Sequence, residues 1–296
     1  MKTYCVKLKV ESPVLTPFQA DTLFGHLCWI VKYLDGEEAL KKFLEPFKSG
    51  ELPFVISDGF PANLLPKPLS AEVSVADPEQ RKKIRKLEWV EIQDFDRIRQ
   101  GESITNLEIK EDKEPIRTTS THNIINRLTN TTLSEGGVYS IPETVIPEIS
   151  IYLKTADEQW KNNVVNLLKE LSKSGYGRKK SIGKGQFYVE GVEEFNFSPI
   201  QDANGFITLS NFCPKDTDPT EGIYKTFVKY GKLGEEFTFC GNPFKKPLLM
   251  IKTGSVFKTN GQSKDYYGQM IDKIAPAKES EVIQYAYAFA VSVKYQ

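Results

Sequence analysis

Two histidines, His26 and His122, are the only side chains among the 296 residues whose ordinary pKa lies close to neutrality, so general acid–base chemistry near pH 7 would fall to them first. Asp94 and Asp96, in the stretch DFD, have the composition of half a metal site. Alternate positions on a helix diverge, however, and the flanks are highly charged, so a solvated face is expected there. Cys5, Cys28, Cys213 and Cys240 are scattered without a CxxC pair; they read as small apolar residues rather than as zinc ligands or a disulfide framework, which suits a reducing compartment. No HExxH stretch, nucleophile elbow or paired acid/base constellation occurs. The residues therefore point to a binding protein, not an enzyme, with no metal and no cofactor.

The local chemistry that stands out is cationic. SGYGRKKSIGKGQF, Ser174 to Phe187, holds four glycines and four positive charges, and no carboxylate lies between Glu170 and Glu190. A Walker loop needs the order strand, glycines, helix, so that a helix N-terminus meets the phosphate; here the order is helix, loop, strand. The dinucleotide fingerprint fails for the same reason and lacks its third glycine. What remains is a GxGxxxxxGxG frame. Gly175, Gly177, Gly183 and Gly185 can take positive φ and turn amides toward an anion, with Arg178, Lys179, Lys180, Ser181 and Lys184 between them. Such a loop suits a sugar-phosphate backbone held without base reading. The same residues are also those of a mobile solvated turn.

The elements that must position this loop follow from periodicity. Residues 3–10 alternate as a half-buried strand, and Leu23, Leu27, Ile30, Val31 and Leu34 recur at helical spacing after Asp21, a candidate N-cap. A second amphipathic piece spans 37–47, and 52–61 reads as a strand. Residues 66–115 are a charged helical insertion, and 116–147 a long hairpin or an extended loop. Ile149, Ile151 and Leu153 mark a strand. Thr155 to Glu158 matches a capping box opening a helix with an apolar stripe from Trp160 to Leu171, and Gly175 sits at its C-terminal end. A strand after the loop completes the split βαβ, or ferredoxin-like, order over residues 1–197.

A second, strand-rich domain is expected over 200–296, ending in a strand with Tyr285, Tyr287, Phe289, Val291 and Val293 on one face. Its other face, Ala286, Ala288, Ala290 and Ser292, leaves room for another element. The length suits two domains with separate cores. The 39 basic residues balance 39 acidic ones, so a polyanion site must come from local clustering. No apolar run approaches the ~20 residues of a membrane span, so a cytoplasmic protein without membrane contact is expected.

The frame, following the second helix of a ferredoxin-like unit, resembles the glycine-rich loop of the RAMP superfamily of CRISPR proteins. SPVLTPFQADTLFGHLCW, SDGFPANLLPKPL, INRLTNTTLSEGGVYSIPETV and the terminal YAYAFAV are similar, in this order, to blocks of the fourth-subunit family of the type III-A Csm effector complex. The resemblance implies an α+β fold of two ferredoxin-like (RRM-like) domains with antiparallel sheets, the first bearing the helical insertion and a thumb-like hairpin. It implies a Cas-five-like protein holding the 5′ handle of the crRNA, with the large palm-domain subunit and a backbone RAMP subunit as neighbours. The thumb would fall within 116–147, where Arg117, His122 and Arg127 would contact RNA. By the same resemblance KTGSVFK, with Lys252 and Ser255, is a smaller RNA contact. Some RAMP relatives that process guide precursors carry a catalytic histidine on the first helix, which gives His26 a rival role in a metal-independent endoribonuclease. On the helical wheel His26 shares a stripe with Thr22, Trp29 and Tyr33 that faces RNA or packs on the insertion, and Gly25 beside it suggests close approach by RNA or a neighbour. A filament-forming backbone subunit is the third reading.

Overall fold

The computed structural model describes residues 1–105, 114–133, 135–239, 242–275 and 282–296. Cys240 lies outside them; Cys5, Cys28 and Cys213 are free thiols. The chain opens with strand β1 (Lys2–Val10), helices α1 (Ala20–Asp35) and α2 (Glu37–Ser49), and β2 (Phe54–Pro61). The insertion contributes β3 (Leu64–Pro66), α3 (Pro78–Lys86), β4 (Trp89–Glu91) and α4 (Ile92–Arg99). Then come β5 (Ile116–Asn123), β6 (Ile125–Asn126), β7 (Thr131–Thr132), β8 (Val138–Val145), β9 (Glu148–Thr155), α5 (Glu158–Ser172) and β10 (Phe187–Glu194). The remainder is strand: β11 (Gly205–Thr208), β12 (Gly222–Ile223), β13 (Thr226–Lys229), β14 (Leu248–Ile251), β15 (Val256–Lys258), β16 (Tyr266–Ile271) and β17 (Gln284–Val293).

The first sheet has the order β10-β1-β9-β2, every pair antiparallel. Counted within the unit this is fourth, first, third, second, the order of the split βαβ arrangement. Val6 and Leu8 of β1 and Leu153 of β9 share a buried cluster with Leu23 and Leu27 of α1 and with Val164 and Leu168 of α5. The helix starts differ from those expected. Gln19, not Asp21, is the N-cap of α1. Asp21 is buried in the first turn and paired with Lys229 at 2.5 Å, so a charge from the far half of the chain claims the carboxylate. In α5 the cap is Asp157, which accepts from the Gln159 amide at 2.8 Å, while the Thr155 hydroxyl accepts from the Asp157 amide.

The second sheet runs β12-β15-β11-β17-β16, and no α-helix falls among the described residues of 200–296. The apolar cover of one face comes from the first half. Along β17 the large face meets α1 and α2: Tyr285 stacks on Phe24 at 4.6 Å, and the Tyr287 hydroxyl donates to the Phe47 carbonyl at 2.7 Å. One buried cluster therefore runs through both sheets, where separate cores were expected. The alanine face of β17 is not left for a partner: Ala288 and Ala290 lie against Phe206, Phe212, Phe257 and Tyr267, whose rings occupy the space the methyl groups leave.

A polar network crosses the same seam. Asp58, buried in β2, accepts from the Ala20 amide at 2.8 Å and from Asn211 Nδ2 at 3.0 Å, and Gln284 donates to Asp21. Burial, opposed by these hydrogen bonds, pushes Asp58 up to about 7.

The hairpin alternative holds for 116–145, with β5 and β8 paired from Ile116↔Val145 to Asn123↔Val138. In the insertion the two aspartates part company, contrary to the expected solvated face. Asp94 pairs with exposed Arg97 at 3.6 Å. Asp96 accepts from Arg99 Nε at 2.6 Å and from the Ser198 hydroxyl at 2.6 Å, and Arg99, 1% exposed, donates to the carbonyls of Ser292 and Ser198. The insertion is thereby bolted to the last strand. Arg99→Ala, which strands a half-buried carboxylate, is expected to cost about 3 kcal/mol or more, whereas Asp94→Ala should stay within about 0.5 kcal/mol. Denaturant midpoints at unchanged slope check both.

Candidate nucleic-acid interface

The glycine loop is pinched at its neck and open at its apex. Gly175, at φ 78, turns the chain out of α5 while its amide donates to the Leu171 carbonyl at 3.1 Å. Tyr176 follows, 1% exposed, with its ring stacked on Phe18 at 4.1 Å and its hydroxyl donating to the Pro17 carbonyl at 2.7 Å. The neck closes through Tyr176 N–H to the Gly185 carbonyl at 2.8 Å and Gly185 N–H to the Pro13 carbonyl at 3.0 Å. A Cβ on Gly185 would lie 2.0 Å from the Tyr176 carbonyl oxygen, so glycine there is a requirement of packing as well as of φ. Tyr176 is a residue the sequence reading passed over; its only signal was an aromatic side chain between two glycines.

Beyond the neck, the Gly177 amide donates to His26 Nε2 at 3.4 Å and the Arg178 amide to Thr16 Oγ1 at 3.1 Å. Lys179 takes the left-handed conformation, Lys180–Ile182 make one tight turn, and Gly183, at φ 83, ends it. Arg178, Lys179, Ser181, Ile182 and Gly183 are exposed. Among the described residues the amides of Lys179, Lys180 and Ser181 meet no protein acceptor. Consecutive amides left open by a left-handed residue before a right-handed turn form a concavity for an anion.

The four cations divide into two pairs. Lys180 is held by Glu235 at 2.6 Å, and Lys184 by buried Glu143 of β8 at 2.5 Å. Arg178 and Lys179 have no carboxylate partner among the described residues, and Lys179 Nζ lies 6.0 Å from the ring of Tyr139, which itself stacks on His122 at 5.6 Å. The fold thus brings the loop and the hairpin's His122 to the same side of the molecule, with His26 packed against the loop from within. Arg117 sits at the hairpin base on exposed Glu88, at 3.1 Å, and Arg127 at the exposed tip. Lys252 and Ser255 belong to a separate turn. Ser255 is fully buried and its hydroxyl donates to the Lys252 carbonyl at 2.6 Å, so this side chain offers nothing to a ligand, contrary to expectation.

His26 is a prop of the loop. Its stripe packs on the glycine loop and on 229–237 rather than on the insertion: Thr22 lies near Lys229, and Trp29 on Phe237 at 5.6 Å. Burial, aided by the nearby Lys180 cation, pushes His26 down to about 4. With Nε2 accepting from Gly177, the neutral ring carries its proton on Nδ1 and has no free basic nitrogen. A Cβ on Gly25 would meet nothing within 4 Å, so the chain itself supplies no reason for that glycine. Among the described residues no group of three or more His, Cys, Asp or Glu converges as for a metal, and no helix is long and apolar enough to cross a membrane.

Because His26 titrates lower folded than unfolded, the unfolded chain binds the extra proton between about 4 and its ordinary 6.5, so this group makes stability fall as pH drops through that window. Relative to His26→Gln, the natural protein should lose melting temperature from pH 6.5 toward pH 4.5 and behave alike above it. Gly185→Ala should melt at clearly lower temperature than Gly183→Ala, whose Cβ enters open space and bears only the φ penalty of about 1 kcal/mol.

No family model matches the chain. A Csm4 protein of a CRISPR system from Thermococcus onnurineus (strain NA1) is 27% identical over 233 residues, 73% of this chain and 76% of that one. Among solved structures, a chain of the Csm1–Csm4 cassette in complex with pppApA matches with a TM-score of 0.65 and 19% identity over 99% of both chains. A chain of the Csm3–Csm4 subcomplex of the type III-A CRISPR-Cas interference complex matches over 100% of both, with a TM-score of 0.63 and 16% identity. These structures share the fold over essentially the full length of the chain. Over most of its length the chain is thus similar in sequence to a Csm4 protein and in fold to chains of Csm4-containing complexes.

Proposed function

We propose that this chain is a non-catalytic subunit of a type III-A CRISPR (Csm) ribonucleoprotein effector complex that grips the 5′ handle of the crRNA and anchors the large palm-domain subunit to the RAMP backbone. The observation that carries the RNA part is the loop's division of labour. Lys180 and Lys184 are spent on Glu235 and Glu143 to hold the loop in shape, which leaves Arg178, Lys179 and three open amides outward for a phosphate. The partner part rests on homology to Csm4 and on solved chains of the same fold that sit with Csm1 or with Csm3. In this reading residues 1–197 and 200–296 count as two RRM-like units, the hairpin as the thumb with Arg117, His122 and Arg127 toward RNA, and the protein works in the cytoplasm. Occupied Nε2 and the low pKa of His26 favour this over a guide-processing endoribonuclease.

Purified protein titrated with repeat-derived RNA over a range of salt tests it. The double variant Arg178→Ala/Lys179→Ala should weaken binding and flatten the slope of log affinity against log salt by about 1.4, at about 0.7 per phosphate contact, with an unchanged melting temperature. An unchanged slope would remove the loop from the interface. Labelled RNA should stay intact in EDTA; cutting that His26→Ala abolishes would establish the endoribonuclease instead.

A further inference from the structure

A second surface concentrates positive charge away from the glycine loop. An open groove of about 630 Å³ lies between the insertion and β12, lined among others by Lys67, Arg85, Lys225, Tyr224, Ser74 and Glu72. Lys67 uses two of its three N–H bonds on the carbonyls of Ile84, at 2.6 Å, and Arg85, at 2.9 Å, which leaves one donor over. Arg85 and Lys225 are exposed and have no carboxylate partner among the described residues. Burial and then the Lys225 cation push Lys67 below the usual lysine range, so two ammonium groups share the groove at a mutual cost that a bound anion would relieve. Glu72, the groove's carboxylate, faces the Ser103 hydroxyl at 3.3 Å instead.

The aromatic member narrows the ligand class. Tyr224 stacks on Phe257 at 5.4 Å and 14° and is still 49% exposed, so a rigidly backed ring is offered to the groove. Cations beside an open aromatic face suit a phosphate and its neighbouring base, and a groove open to solvent suits a strand more than a compact metabolite. Position agrees. At the hairpin base β8 leans on the glycine loop through Glu143–Lys184, while Arg117, opposite Thr144 on β5, reaches Glu88 three residues beyond Arg85.

We infer that the groove formed by Lys67, Arg85, Lys225 and Tyr224 is a second subsite for single-stranded nucleic acid, on the flank of the hairpin opposite the glycine loop. It rests on the RNA-binding reading above and extends it to a separate surface.

The test uses the full-length protein and fluorescein-labelled polyuridylate, with variants confined to exposed side chains. Tyr224→Ala should weaken binding about five-fold or more with the salt slope unchanged, since a stacked ring carries no charge. Arg85→Ala/Lys225→Ala should flatten the slope by about 1.4, additively with Arg178→Ala/Lys179→Ala. If both groove variants bind as the natural protein does while the loop variant is weakened, the groove is refuted and the loop stands. If the natural protein binds no RNA at all, the proposed function fails and the groove with it. If polyglutamate binds in a manner lost on Lys225→Ala while RNA binding is untouched, the groove serves an acidic protein partner and the inference is overturned.

Discussion

The seam along β17 is the constraint on which the rest of the molecule depends. The large-residue face of β17 closes only against the first half: the second sheet has no α-helix among its described residues, and α1 and α2 would expose Phe24 and Phe47 without Tyr285 and Tyr287 against them. Each such buried side chain contributes on the order of 2 kcal/mol. The hydrophobic effect is indifferent to direction, however, and it is the polar network of Asp21, Lys229, Asp58, Asn211 and Gln284 that sets one register for the two halves. Asp58, pushed up to about 7, marks how costly that register is to bury.

From the seam outward the loop is a consequence. Phe18 and Thr16 belong to the segment that leads β1 into α1, so fixing α1 fixes the platform on which Tyr176 stacks and to which the Arg178 amide donates. The glycines then serve opposite ends of one device. Gly175 and Gly185 let two strands of backbone touch at the neck, and Gly183 lets the apex turn in open space. A loop held at the neck and tied by Lys180 and Lys184 presents its remaining cations with little entropy left to lose on binding.

The same arrangement occupies the histidine of the first helix. His26 is neutral, its Nε2 lone pair is taken by Gly177, and the nearby Lys180 opposes a second proton. Its neighbours on the helix, Thr22 and Trp29, are likewise occupied with the segment 229–237. The stripe, expected to face RNA or to pack on the insertion, packs instead behind the glycine loop and on the segment 229–237.

Periodicity in the sequence determined the elements and their order, because a 3.6-residue or two-residue repeat of apolar side chains records which face each element buries whatever it is buried against. It also determined the glycine frame, since four glycines and four cations without a carboxylate have few structural uses. It could not say that β17's alanine face is filled by Phe206 and Tyr267, that Asp96 clamps Arg99, that Asp21 is claimed by Lys229, or that two of the loop's cations are internally spent. Each of these joins residues far apart along the chain, and a charge or a ring reveals its partner only when folding brings the two within a few ångströms.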